Sequence, residues 1–462
     1  MADRRQTSKR AAALSVAFAL ACAAPAAAQI IGGGLPGLPG GGLPGGLSDL
    51  PSRRGLPDVA TPRLPQTPAL PRLAEDVQGL ADAPLSELRR LKAQRLLRDH
   101  ADVVEPDDHG EPVVRGEVLA IGMSRAGMGR LREAGFSVRS QPSLAGLGVE
   151  AVVLGLPRGL SAVEAVRRLR ALEPAAQFDF NHLYQLSGGV GVAAAAASAG
   201  SGSAADGRGL RIGLVDGSAA QSRPALARAN LVQRAFGPRG GALSAHATAV
   251  ASLIAGAAGG FHGAAPGATV YVADVYGPTP TGGSAEAVTR ALAWLAQSNT
   301  PVINISLVGP PNLLLGAAVR ALVGRGVLVV AAVGNDGPAA PPLYPAAYPG
   351  VIAVTAVDRA NRVLPEAGRG THVDFAAPGA DMAAAGLDGG FVKVRGTSFA
   401  APIVAGRLAV LRGRGSGAQA VDALGREAVD LGAPGADPIY GRGLVGADLR
   451  AEPAAAGTAH TK

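Results

Sequence analysis

The sequence predicts an α/β protein: a doubly wound parallel sheet with helices on both faces, preceded by a small ferredoxin-like α+β domain. Three observations predict it. From residue 208 onward, short β-branched apolar runs alternate with helical windows, the pattern of strands buried on both faces. Residues 111–186 read as strand, helix, strand, strand, helix, strand, the order of the split βαβ motif. Two low-complexity stretches, 29–73 and 187–207, set these regions apart, being too poor in anchoring side chains to build a core. The 462 residues leave room for roughly two to four domains at ~100–200 residues each.

The chain opens with Arg4, Arg5, Lys9 and Arg10, continues through an apolar run over 11–24 and ends in Ala26-Ala27-Ala28. A basic start, a short apolar middle and a small-residue end predict a secretory signal peptide over 1–28, and with it export to the periplasm or the cell exterior. The alternative is a membrane anchor, but the run is Ala-rich and broken by Pro25. Cys22 offers a lipid-attachment alternative, with Ala19 where such sites favour Leu. No later segment is long and apolar enough to span a bilayer, so no membrane span is expected once the signal is removed.

Composition excludes several classes of function. With one cysteine there is no intramolecular disulfide, and no Cys/His cluster has zinc spacing. Net charge is +8, and 39 of the 43 basic residues are arginine. They are spread along the chain without interleaved aromatics, which speaks against a nucleic-acid groove, so no nucleic-acid partner is expected.

Residues 29–73, with Leu-Pro-Gly units such as Leu35-Pro36-Gly37, read as a disordered linker. A helical segment over 74–110 follows, with Leu85, Leu88, Leu91, Leu96 and Leu97 at amphipathic spacing. In the α+β domain the strand candidates are 116–121, 149–154 and 177–183, and the helix candidates 126–134 and 161–172. The stretch 187–207, including Ala193 to Ala197, reads as a second linker and an accessible place for proteolysis. In the large domain, 208–450, strands are expected at 210–215, 269–275, 302–306, 327–333 and 351–357, and helices at 245–258, 285–297, 314–324 and 397–411. Residues 451–462 read as a disordered tail.

Doubly wound sheets place their sites at the carboxyl ends of strands, and chemistry-bearing residues gather at such positions. Asp216 ends a strand, His246 opens a helix, Asn335 follows a strand, and Ser398 opens a helix. Each alone has an ordinary explanation as a cap or turn residue. Together they are the parts acyl transfer needs: a nucleophile, a base, a carboxylate to orient the base, and an oxyanion donor.

Asp, His and Ser stand here in the order of subtilisin, and Gly396-Thr397-Ser398-x-Ala400-x-Pro402, Asn304-Ile305-Ser306 and Asp374-Phe375-Ala376-Ala377-Pro378-Gly379 are further matches. From about Leu210 to Gly446 the chain thus resembles a subtilisin-like serine protease of the S8 family. The resemblance implies a secreted serine endopeptidase acting on protein or peptide substrates, with Ser398 as nucleophile, His246 as base, Asp216 as its orienter and Asn335 in the oxyanion hole. It implies that substrate lies along Ser306, Leu307 and Val308, near Gly334. It makes 111–186 similar to a propeptide, an intramolecular inhibitor removed by self-cleavage between Gln185 and Arg208. Three positions depart from the pattern: Ala247 replaces the usual Gly, Asp216-Gly217-Ser218 replaces Asp-Thr-Gly or Asp-Ser-Gly, and Val308 replaces a Gly that lets substrate backbone lie close. Val308 is expected to narrow the S1 or S2 region in favour of small residues. The alternative reading is a catalytically impaired, peptide-binding relative. No cofactor is required by this reading; Asp274 and Asp381 are candidate ligands of a structural calcium ion, without a ligand series around them, and His262 and His372 read as structural.

Overall fold

A computed structural model of the protein describes residues 85–142, 144–194, 196–197 and 206–454. The stretch read as a signal peptide, with Cys22, the Leu-Pro-Gly segment and most of the tail lie outside the described residues. Within the segment read as helical, the helix Leu85–Asp99 is followed by a short strand, Val104–Pro106, paired antiparallel with Pro112–Ile121. The turn between them is set by Asp107, whose Oδ1 accepts from the backbone N–H groups of His109 and Glu111, both at 2.8 Å.

The α+β domain is an antiparallel sheet with Pro112–Ile121 at its centre, Ala151–Gly155 and Gln177–His182 beside it, and Ser137–Ser140 outside Ala151–Gly155. Its helices Arg125–Glu133 and Ala162–Leu172 start at Ser124 and Ser161, the latter in a capping box with Glu164. Alternation along the strands gives the sheet two apolar faces. Val118, Ala120, Leu154 and Phe178 pack under the domain's own helices, whereas Leu119 and Val153 join Leu292, Leu314 and their neighbours in the core of the large domain. Polar side chains seal the same junction. Asp179 Oδ2 accepts from Leu313 N at 2.6 Å and Asn181 Oδ1 from Glu286 N at 3.1 Å, so one strand caps two helices of the neighbouring domain. Buried His182 bridges Asp107 Oδ2 (3.1 Å) and Asn312 Nδ2 (3.1 Å).

The large domain holds a seven-stranded parallel sheet in the spatial order Asn230–Ala235, Thr269–Asp274, Arg211–Asp216, Val302–Ile305, Leu328–Ala332, Ile352–Val357, Val373–Pro378. Helices Ala245–Ala255 and Thr397–Arg412 cover one face, packing on Ile212, Leu214 and Val270. Ala285–Gln297 and Leu313–Gly324 cover the other, packing on Val215, Ile303 and Val329. Chain order reverses between Arg211–Asp216 and Val302–Ile305, so the crevice at their carboxyl ends is the topological switch point.

The expected strands and helices of this domain are present with ends shifted by a few residues. The two edge strands and the helix Gly417–Glu427 escaped the apolar pattern, Asn230–Ala235 because an edge strand facing water carries polar residues. Two stretches read as linker and tail contain strands. Gly189–Ala194 pairs with Phe391–Arg395, and Ala196–Ala197 pairs with Pro453–Ala454. Backbone hydrogen bonds to an existing sheet edge need no anchoring side chains, so composition alone does not disclose such additions.

Replacing Asn181 by Ala is expected to lower the unfolding free energy by about 1–3 kcal/mol, the cost of leaving the part-buried Glu286 N–H without its acceptor and removing one of the donors to Glu117. Urea unfolding of the intact chain measures this; an unchanged midpoint contradicts the capping role.

Candidate active site

Four segments converge at the switch point. Asp216 is the last residue of its strand and fully buried; its Oδ1 accepts from Gly217 N (2.7 Å) and its Oδ2 lies 2.8 Å from His246 Nδ1. His246 sits in the first turn of Ala245–Ala255, whose cap Ser244 accepts from Ala247 N. Its other ring nitrogen, Nε2, lies 2.8 Å from Ser398 Oγ. With Nδ1–H donating to the carboxylate, Nε2 is left as the acceptor for the serine hydroxyl. The Phe399 ring packs against the imidazole at 5.0 Å and holds its plane.

Ser398 opens the helix Thr397–Arg412 after Gly396, whose φ of 136° is open to glycine and strained for other residues. A side chain at Gly396 would also meet Gly188 Cα at 2.7 Å. Asn335 is fixed from behind, its Oδ1 accepting from Thr397 N at 3.1 Å.

The crevice is occupied by the chain itself. Gln185–Leu186 pairs antiparallel with Leu307–Val308, with Leu186 opposite Leu307 and Gln185 opposite Val308. Ser187 N donates to Ser306 O (3.4 Å), and the Ser187 carbonyl oxygen accepts from Ser398 N at 3.0 Å. Asn335 Nδ2 donates to Ser187 Oγ at 3.0 Å, so both expected oxyanion donors engage the same residue, one through its carbonyl and one through its hydroxyl. Gly188 lies so near the nucleophile that an added Cβ would collide with Ser398 Oγ.

Asp216, His246, Ser398 and Asn335 thus lie around one peptide group, and Ser306, Leu307 and Val308 lie along the strand leading to it. Gly334 stands behind, its N–H donating to Thr397 Oγ1 (3.2 Å). Three residues beside the site went unread in the sequence: Ser187, Asp336 and Arg89, which line one cavity with Val308 and Asn335. Burial pushes the Asp336 carboxyl up, an effect opposed by the Arg89 guanidinium beside it. Ser187 carries no motif, and Arg89 reaches the cavity from 247 residues away in sequence, so neither had a local signal.

The subtilase family model matches residues 220–443. Subtilisin Savinase of Lederbergia lenta is 35% identical over 209 residues, covering 44% of this chain and 76% of that protein. The chain belongs to the subtilase family. The family is one of serine-type endopeptidases. The minor extracellular protease Epr of Bacillus subtilis is 32% identical over 206 residues, which are 43% of this subtilase and only 32% of Epr. The crystal structure of fervidolysin from Fervidobacterium pennivorans, a keratinolytic enzyme related to subtilisin, has the same fold, with a TM-score of 0.63 over 75% of this chain and 62% of that one at 22% identity.

The departures from the family pattern have local explanations. Ala247 lies within a helix, where alanine is at ease. A side chain at Gly217 would meet Ser244 Cβ at 2.7 Å, while Ser218 donates its hydroxyl to Asp274 Oδ2 at 2.8 Å. The order Gly217-Ser218 therefore suits this subtilase. Asp274 also accepts from Gly241 N, Tyr276 N and Gly277 N, and Asp381 is paired with Lys393. Carboxylates so engaged do not fit a calcium site, and no cluster of three or more ligating side chains occurs among the described residues. His262 lies in a short hairpin strand and His372 just ahead of Val373–Pro378; burial pushes the His372 imidazole down.

Gly396→Ala is expected to destabilise the protein by roughly 1–3 kcal/mol through its φ and its approach to Gly188. Thermal unfolding checks this, and a wild-type Tm contradicts it.

Proposed function

We propose that this protein is an exported serine endopeptidase, made as a precursor that cuts itself. The observation carrying the proposal is the unbroken path from Asp216 through His246 to Ser398, ending beside a peptide carbonyl on the Ser398 N–H. In this reading Ser398 Oγ attacks the carbonyl carbon of the scissile peptide while His246 Nε2 takes the hydroxyl proton. Asp216 holds the imidazole and stabilises its charged form. The oxygen of the tetrahedral intermediate is held by Ser398 N–H and by Asn335 Nδ2, which turns to it from Ser187 Oγ. The imidazolium gives its proton to the leaving amine, an acyl-enzyme forms on Ser398, and water activated by the same His246 releases the acid.

The first substrate is the chain's own. Ser187 supplies the acyl group and Gly188 the leaving amine, so the chain up to Ser187, with the 111–186 domain in it, acts as a propeptide and blocks the cleft until it departs. Ser306, Leu307 and Val308 bind the acyl-side strand by β-augmentation. Val308 beside the cavity favours a small residue before the cut, and Ser187 is one. The non-catalytic peptide-binding alternative is disfavoured, because the branched Val308 side chain coexists with an intact relay.

Export is supported by the signal-like start and by the similarity to Epr, a minor extracellular protease. No helix among the described residues is long and apolar enough to cross a membrane.

Purified protein is expected to hydrolyse casein and to be labelled at Ser398 by a fluorophosphonate, and Ser398→Ala loses both. Asn335→Ala is expected to lower kcat about 10²–10³-fold, the general size for one oxyanion donor. Casein hydrolysis persisting in purified Ser398→Ala contradicts the proposal.

A further inference from the structure

The helix Leu85–Asp99 precedes the α+β domain and belongs to neither sheet. Arg90, Lys92, Gln94, Arg95 and Arg98 are exposed on it, while Ala93 is buried and Leu91, Leu96 and Leu97 are half-buried. Its firm attachment is Arg89. The guanidinium pairs with Glu111 of the α+β domain (2.7 Å) and, through Nε, with Asp336 of the peptidase domain. The three side chains are only 18%, 22% and 13% exposed, so this is an ion triad mostly withdrawn from water. Burial alone pulls the Arg89 pKa down, but the two carboxylates more than reverse this and keep the group charged.

The position of the triad gives it a role. Asp336 directly follows Asn335, and Arg89 lines the same cavity as Ser187, Gly188 and Val308. Lys92, one turn further along the helix, lines it too. The helix therefore roofs the pocket beside the bond that the precursor cuts. Once that bond is broken, the fragment is still held by the pairing of Gln185–Leu186, by the buried face bearing Leu119 and Val153 and by the caps from Asp179 and Asn181; the triad adds a further hold at the pocket itself.

We propose that helix Leu85–Asp99 is a second inhibitory lock, in which Arg89, clamped between Glu111 and Asp336, closes the substrate pocket and delays release of the severed N-terminal fragment. This rests on the reading of the chain as a self-cutting precursor. The lock is separate from the cleavage geometry: the strand in the cleft positions the bond, and the triad lengthens the stay of a product that the docked domain also holds. Truncating one member of a desolvated charge pair acts mainly on the dissociation rate, because it leaves the other charges buried and unpaired.

The test compares full-length wild type, Arg89→Met and Arg95→Met, whose exposed partner Asp99 lies in the same helix. Two quantities are followed: dissociation of the N-terminal fragment by size-exclusion chromatography, and the lag before hydrolysis of a fluorogenic peptide. Arg89→Met is expected to cut itself at the wild-type rate, release its fragment about tenfold faster or more, and show a correspondingly shorter lag; Arg95→Met matches wild type. Equal release rates for wild type and Arg89→Met overturn the lock. If Arg89→Met fails to fold, Asp336→Asn removes the partner of Arg89 on the peptidase side, with faster release supporting the proposal and unchanged release overturning it. If the chain does not cut itself, the precursor reading fails separately. The lock is then tested on chains carrying an inserted site for an unrelated protease within 198–205, again by comparing fragment release with and without Arg89.

Discussion

A peptide carbonyl oxygen 3.0 Å from the Ser398 N–H demands that three separately encoded pieces of backbone meet within one hydrogen-bond length. Ser398 must open a helix, because in the first turn a backbone N–H is free to donate outward. The strand bearing Ser187 must be held in register, which Leu307–Val308 does at the carboxyl end of the central sheet. The turn before Ser398 must bring Gly396 and Gly188 together at a distance no side chain tolerates. The parallel sheet, its switch point and the glycines around it all serve this meeting. Asp216 and His246 add the proton path from the other side of the switch point, from a strand end and a helix start the same topology brings together.

The same constraint accounts for the division of labour between the two domains. The α+β domain has a sheet with two apolar faces, one covered by its own helices and one lent to the large domain. Its last strand supplies Asp179 and Asn181 to two helix N-termini, then runs on through Tyr184, whose hydroxyl donates to Pro310 O at 2.8 Å, into the cleft. The segment entering the active site is thus anchored immediately upstream by burial and by capping. A strand of two residues has little affinity of its own; it is the docked domain that keeps Ser187 in place. Arg89 extends this logic to a second point on the cavity wall.

Much of this was legible in the sequence because strands buried on both faces and helices with capped starts leave strong local signals. Asp216, His246, Asn335 and Ser398 could be singled out because strand ends and helix starts can be read directly, and acyl transfer needs that combination of residue types; the structure brings the four together. The pairing of Gln185–Leu186 with Leu307–Val308 was not legible, since backbone hydrogen bonds carry no residue signature and Ser187 is an ordinary serine. The strand Gly189–Ala194 was hidden by its own composition, which reads as linker, although an existing edge at Phe391–Arg395 accepts it. Arg89 lay in a helix whose leucine spacing drew attention to the wrong side chains, and its meeting with Asp336 depends on the docking of whole domains. Val308 was marked in the sequence as a departure from the family pattern; that Ser187 of the same chain lines a cavity with it needed coordinates.

The central claim is that the geometry around Ser398 selects one bond of the chain's own backbone. Intact-protein mass spectrometry on freshly produced wild type and Ser398→Ala, handled in parallel, tests it most directly. The account predicts that wild type divides between Ser187 and Gly188 while Ser398→Ala stays whole. A principal cut at any other bond, or the same cut in Ser398→Ala, would contradict it.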